Sequence, residues 1–393
     1  MDIKQTIKRQ SLADIETTAQ RVSAMMGGIR SAMLSPTDRK QAPIVTTNEL
    51  ADLCGIDKRR INYRLTRGDL PPGTVRSNRR EWTMEEALPW IRTFRADSMR
   101  PPGAAAITIT VANFKGGVAK TVTAVTLAQG LARKGLRTAV VDLDPQGSAT
   151  TLFGVLPDTE VDVEHTAMPL FAGEQPDLDY AFRPTYWPNI DLVCAAPLLF
   201  GAEFALPARQ SRDPGFEFWR VLDRGLDNAR EKYDVIVIDT PPSLSYVTIN
   251  ALLAADGLIV PLPPSAIDFA SSAQFWELFS DLTNQLLRNR GQDKSFEFID
   301  VLLSRVESSD TASTVVRQWI LEAYGEKVLP IEIPKTSATS TAGAEFGTVY
   351  DLARGSINSK TFDRARDAYD RMCELVEQQV QAVWALQLNE MGA

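Results

Sequence analysis

From Ile107 onward the chain alternates short runs that are apolar at nearly every position with longer stretches of helical spacing. The runs cover 107–113, 138–144, 190–196, 234–239, 257–262, 298–303 and 328–333. A strand with one wet face alternates apolar and polar residues, whereas a continuous apolar run demands burial on both faces. The pattern therefore predicts an α/β fold with a mostly parallel sheet flanked by helices. A final helix is predicted over 359–388, where Phe362, Ala365, Tyr369, Met372, Val376 and Val380 form one stripe.

The first hundred residues follow another rhythm. Over 1–40, Ile3, Ile7, Leu12, Ile15, Val22, Met25, Met26 and Ile29 recur at roughly helical spacing, which predicts a long amphipathic helix. Its stripe must cover either this chain's core or the same stripe of a second chain, and dimerisation is the expectation. Over 44–65, a helix capped by Thr47 with Leu50, Ala51 and Leu53 inward meets a turn at Gly55. A second helix follows, carrying Ile61 and Leu65. Pro and Gly turn signals, a basic stretch from Arg76 to Arg80 and a Thr83–Glu86 capping box come next. This is the order of a winged helix-turn-helix over 41–100. The stretch RPPGAAA at 100–106 carries no periodicity and reads as the boundary to a third part, 106–393.

Charge sharpens that division. The net charge of −8 argues against a polyanion partner, yet between Gly55 and Arg80 eight basic residues face two acidic ones. An acidic protein thus carries one basic module. In the second helix Lys58, Arg59, Arg60, Asn62 and Arg64 offer donors for base edges and phosphates, and Arg79 and Arg80 add wing contacts. The bland alternative is a small helical domain with a solvated basic face.

Cys54, Cys194 and Cys373 are far apart and form no C-x-x-C pair, so buried reduced thiols are expected. The single histidine, His165, makes His-based metal or triad chemistry improbable. There is no run of about 18 apolar residues, and the opening MDIKQTIKRQ has no apolar signal region. The expectation is a cytoplasmic protein without a membrane role.

Directly after the first apolar run come Asn113, Phe114, Lys115, Gly116, Gly117, Val118, Ala119, Lys120, Thr121 and Val122, opening a helix. Strand, glycine loop, Lys-Thr and helix together are the context of a phosphate-binding loop. Glycines let backbone N–H groups close on phosphate oxygens and the helix N-terminus adds positive potential. Lys120 would meet the β- and γ-phosphates of ATP and Thr121 would hold Mg²⁺.

The segment K-G-G-x-x-K-T, with a lysine just before the glycines, resembles the deviant Walker A motif of ParA, MinD and their relatives. The resemblance implies that Lys115 reaches across to the nucleotide of a second subunit in an ATP-dependent homodimer. Most members carry glycine where this chain has Ala119, a departure tolerable if the backbone there suits alanine. Residues 140–150, VVDLDPQGSAT, resemble the family's D-x-D-P-Q segment and end a strand. Asp142 and Asp144 are candidates for directing water and sensing the γ-phosphate, and the resemblance favours Asp144 as the catalytic carboxylate with Lys115 and Lys120. Residues 233–242, YDVIVIDTPP, resemble the Walker B strand, which makes Asp239 the Mg²⁺ carboxylate. In 331–347, Pro334 and Thr336 are placed like adenine contacts, with an ordinary strand-end loop as the alternative. Lys335 falls where the family often binds DNA without sequence preference, and Arg305 and Arg317 lie in nearby segments.

The whole layout resembles the larger plasmid ParA proteins. That implies operator binding, ATP-dependent coating of nonspecific DNA on the nucleoid, and a ParB-type partner that stimulates hydrolysis. The rival readings are a nucleotide-sensing repressor and a cargo-positioning ATPase of the same fold.

Overall fold

A computed structural model describes residues 11–33, 40–307, 311–344, 346–352 and 358–392. The chain divides into two units, 1–41 and 42–393. Among its described residues the first contains one helix, α1 (Leu12–Met33), on which Leu12, Ile15, Val22, Met25 and Met26 are exposed. Ile3 and Ile7 of the predicted stripe lie outside the described residues.

The second unit opens with a three-stranded antiparallel sheet, β1 (Val45–Thr46), β2 (Thr74–Arg76) and β3 (Arg79–Trp82). Between β1 and β2 lie α2 (Thr47–Cys54) and α3 (Lys58–Arg67), and α4 (Met84–Phe94) follows β3. The cap of α2 is Thr46 rather than the expected Thr47: its hydroxyl accepts the Glu49 N–H while Glu49 accepts the Thr46 N–H. Gly55 ends α2 in a left-handed conformation that costs glycine nothing. Ser77 and Asn78 join β2 to β3 with positive φ at both positions, matching the twist of a tight hairpin.

Eight strands form the main sheet in the order β11-β10-β9-β4-β8-β5-β7-β6. They are β4 (Ile107–Val111), β5 (Thr138–Asp142), β6 (Arg183–Pro184), β7 (Ile190–Val193), β8 (Val235–Asp239), β9 (Gly257–Leu262), β10 (Phe298–Val306) and β11 (Val328–Pro334). All pairs are parallel except β6 with β7. The seven apolar runs are the seven parallel strands. The antiparallel edge β6 has only two residues, too few to carry a pattern.

Two-sided burial explains those runs. Ile107, Ile109, Val140, Val235 and Val237 point into one core with α5 (Lys120–Arg133) and the helix Ser359–Gly392. Ala139, Val141, Ile236, Ile238 and Leu258 point into the other, under Tyr246–Ala254 and Ala266–Leu286. The C-terminal stripe from Phe362 to Val380 is buried as expected. Where that helix crosses α5, a Cβ on Gly130 would fall 2.2 Å from the Cys373 sulfur, so only glycine permits the approach.

The 100–106 stretch is tied down. Arg100 donates to the carbonyls of Arg230 and Tyr233, both at 2.7 Å, and pairs with Asp234. Nearby, Arg92 donates to the Gly135 carbonyl, and Arg95 and Lys134 both pair with the buried Glu377. The three cysteines are buried and free. No helix among the described residues is long and apolar enough to cross a membrane.

Candidate functional site

The carboxyl ends of β4, β5 and β8 finish at one level, because Val111 pairs with Asp239 and Asp239 with Asp142. In open α/β sheets this edge is where ligands bind. The loop from β4 to α5 starts anchored on β9: Ala112 N–H donates to the Ile259 carbonyl, and the Asn113 amide to that of Pro261. Gly117 and Ala119 then take φ of 76° and 73°. The backbone at Ala119 is thus not in a region that suits alanine, and a left-handed residue with a Cβ costs about 1–2 kcal/mol.

Gly116 and Gly117 are exposed, Val118 is buried, and Thr121 and Val122 are half-buried at the start of α5. Lys120 is 6% exposed, and its ammonium curls back to donate to the Lys115 carbonyl at 2.9 Å. Burial lowers its pKa, and the charges of Asp239 and Asp144 oppose that shift. The Lys115 side chain turns the other way, into an ion pair of 2.5 Å with Asp268 on Ala266–Leu286.

Three carboxylates face this loop, and their surroundings separate them. Asp142 is fully buried and accepts the Thr150 N–H and hydroxyl, both at 2.8 Å, and the Asp144 N–H at 3.1 Å. Burial pushes it up to about 7, and its oxygens are spent on shaping the 144–150 turn. Asp144 is 8% exposed, with one oxygen on the Gln146 N–H at 2.9 Å. Asp239 is fully buried and neither of its oxygens has a hydrogen-bond partner. Burial and Asp142 raise its pKa well above the carboxylate range, while Thr121 and Lys120 beside it work in the opposite direction. A buried carboxylate without partners fits a site completed by a cation. No group of three His, Cys, Asp or Glu among the described residues could hold a metal. An ion at Asp239 and Thr121 would therefore need oxygens from a phosphate and water, as Mg²⁺ commonly does.

Farther along the edge, Pro334 closes β11, and Thr336 caps the following turn through Thr339. Lys335 pairs with Glu307, and Arg317 with Glu332. Arg305 is not grouped with them: it is exposed and donates to the Gly117 carbonyl of the loop. Its neighbour Ser304 donates to the Val118 carbonyl. No sequence pattern signals these two hydrogen bonds, or the partner of Lys115, because each depends on which strand or helix end lies across the sheet edge.

On the basic module, Lys58, Arg59, Arg60, Asn62 and Arg79 are exposed. Arg64 is half-buried and pairs with Asp69 at 2.9 Å, and Arg80 donates to the Pro72 carbonyl. Arg60 and Arg64 also lie over the Phe94 ring, at 4.9 and 5.4 Å from its centre.

A glycine loop running from a central parallel strand into a helix, with a buried lysine and carboxylates at the sheet edge, defines a P-loop nucleotide-binding protein of the α/β class. A family model described as an AAA domain matches residues 106–290. SopA from Escherichia coli K12 is 31% identical over 372 residues, 90% of this chain and 92% of that protein. The chromosome partitioning protein ParA from Caulobacter vibrioides NA1000 is 32% identical over 252 residues, 62% of this chain and 87% of that one. The chain belongs to the ParA-type partition ATPase family of these relatives. Among solved structures, one described as a partition protein shares the fold over 95% of this chain and 99% of its own, with a TM-score of 0.66 at 21% identity. Cobyrinic acid a,c-diamide synthase from Mycobacterium smegmatis, solved with ADP and magnesium, is 28% identical. It covers 69% of this chain and 94% of its own, with a TM-score of 0.53.

Proposed function

We propose that this chain is an ATP- and Mg²⁺-dependent DNA-partition switch. The observation that carries the reading is the buried Lys120 beside the unpartnered Asp239 carboxylate, at the foot of a left-handed glycine loop. Backbone N–H groups of Lys115 to Val122 would cradle the phosphates, with Lys120 neutralising them. Thr121 and Asp239 would hold Mg²⁺, which supplies charge neutralisation at the phosphate oxygens. Asp144 would orient the attacking water, and Pro334 and Thr336 would border the base.

In this reading the active form is a homodimer in which Lys115 leaves Asp268 and reaches the second subunit's nucleotide. Residues 1–40 serve as a dimerisation helix, 41–100 as a winged helix-turn-helix and 106–393 as the ATPase. The exposed Lys58, Arg59, Arg60, Asn62 and Arg79 read an operator, and the chain represses its own operon. Lys335 contributes to nonspecific DNA binding on the nucleoid. Arg64 and Arg80 act from their internal contacts, orienting the helix and wing. A ParB-type partner stimulates hydrolysis and releases the DNA.

Steady-state ATP hydrolysis measured with and without DNA and the cognate centromere-binding protein tests the proposal. Stimulation by both together supports it. Operator binding with hydrolysis indifferent to DNA and partner would instead identify a nucleotide-sensing repressor.

A further inference from the structure

The carboxyl half of β10 departs from regular strand geometry, its pairing with β11 shifting register between Val301 and Leu303 and again beyond Leu303. Arg305 has φ of 53°, in the left-handed region, and lies within the second shift, between Leu303 and Val306. Successive strand residues normally point to opposite faces. Here the irregularity brings two consecutive side chains to the same loop. Ser304, fully buried, donates its hydroxyl to the Val118 carbonyl at 3.0 Å, and Arg305 donates from its guanidinium to the Gly117 carbonyl. Bulges of this kind often re-aim side chains beside active sites.

We propose that Ser304 and Arg305 are positioning residues that clamp the phosphate-binding loop in its nucleotide-competent shape. In a trans peptide the carbonyl and the following N–H point in opposite directions. Holding the Gly117 and Val118 carbonyls toward β10 therefore aims the N–H groups of Val118 and Ala119 away from it. Gly117 and Ala119 are the loop's two left-handed residues, and Ala119 is strained. Without the clamp, the loop has a local reason to relax out of this shape. The strain at Arg305 is the local cost of placing the second donor. The inference rests on the reading of the loop as an ATP site and assigns its preorganisation to β10.

The test uses the full chain and a fluorescent non-hydrolysable ATP analogue with Mg²⁺, with thermal stability measured in parallel. Arg305→Gly removes the donor and relieves the left-handed strain. Its melting temperature should stay level or rise while nucleotide affinity falls about tenfold, the scale of one charge-assisted hydrogen bond. Arg305→Lys should recover part of that affinity, and Ser304→Ala should weaken it about threefold to tenfold. In turnover, KM should rise more than kcat falls. An Arg305→Gly affinity within twofold of wild type overturns the clamp and leaves the ATP site standing. So does a loss of affinity that only parallels a loss of stability. Failure of the wild type to bind the analogue overturns both readings.

Discussion

Ala119 stands at a backbone conformation that glycine adopts freely and alanine only under strain. Ala119→Gly is therefore expected to stabilise the nucleotide-free chain by about 1 kcal/mol, less whatever glycine gains in the unfolded state. The midpoint of chemical denaturation would read this out. Asp142 and Asp144 are two residues apart and equivalent as letters, yet one is consumed by Thr150 and the other remains at the edge of the site. Asp144→Ala should bind nucleotide normally and lose hydrolysis by about a hundredfold or more, the usual contribution of a positioned carboxylate. Single-turnover hydrolysis beside equilibrium binding separates the two effects. Asp142→Ala should instead lower thermal stability, because it strips three donors of their acceptor. Motif spacing made Lys120, Thr121 and Asp239 legible from the sequence. It gave no indication of the hydrogen bond from Arg305 to the loop, which depends on a register shift in a strand and on a residue 185 positions further along the chain than Lys120.

At the scale of elements, the apolar runs were sufficient to find the seven parallel strands, because burial on two faces leaves few polar positions to blur them. Besides the site carboxylates at the ends of β5 and β8, β10 carries a buried acid within the strand. Asp300 on β10 is 4% exposed, and only one of its oxygens is bonded, to the Gln379 amide at 3.0 Å. Its second oxygen and that of Gln379 both lack partners. Burial pushes Asp300 up to about 6, against the smaller opposing effect of Gln379. A raised carboxyl pKa means that the folded state holds its proton more tightly than the unfolded chain does. The associated stability is fully present below about pH 4 and is lost as pH rises through about 6. Asp300→Asn keeps an acceptor for Gln379 and supplies a donor for its unpartnered oxygen. It should be more stable than wild type by on the order of 2–3 kcal/mol at pH 8, with the difference shrinking toward pH 4. Denaturation curves collected across that range check both the sign and the window.

For the molecule as a whole, the basic module is joined to the nucleotide-binding core by more than a linker. Val45, Leu50, Ile61, Trp82, Trp90 and Ile91 belong to the same apolar cluster as α5 and the C-terminal helix, and Arg92 and Arg95 bond across to Gly135 and Glu377. The proposed DNA-reading helix and α5 thus border one continuous apolar core. Neutralising Arg59 and Arg79, which are exposed, should lower the salt dependence of DNA binding by about one released counterion for each phosphate left without its arginine. Fluorescence anisotropy across a salt series measures that slope, and an unchanged slope would remove these residues from the interface.

The sequence by itself determined the elements and the chemistry of the loop. Continuous apolar runs and period-3.6 stripes follow from burial, and a glycine loop with Lys-Thr is a local solution to holding phosphate. Tertiary structure decided what local patterns cannot encode. It pinned the 100–106 stretch through Arg100, paired Lys115 with Asp268, and set Asp142 apart from Asp144 by the company each keeps. It also held the exposed Arg305 against the Gly117 carbonyl. Each of these outcomes depends on strand order and on which side chains meet at the carboxyl edge of the sheet, and that information exists only once the chain has folded.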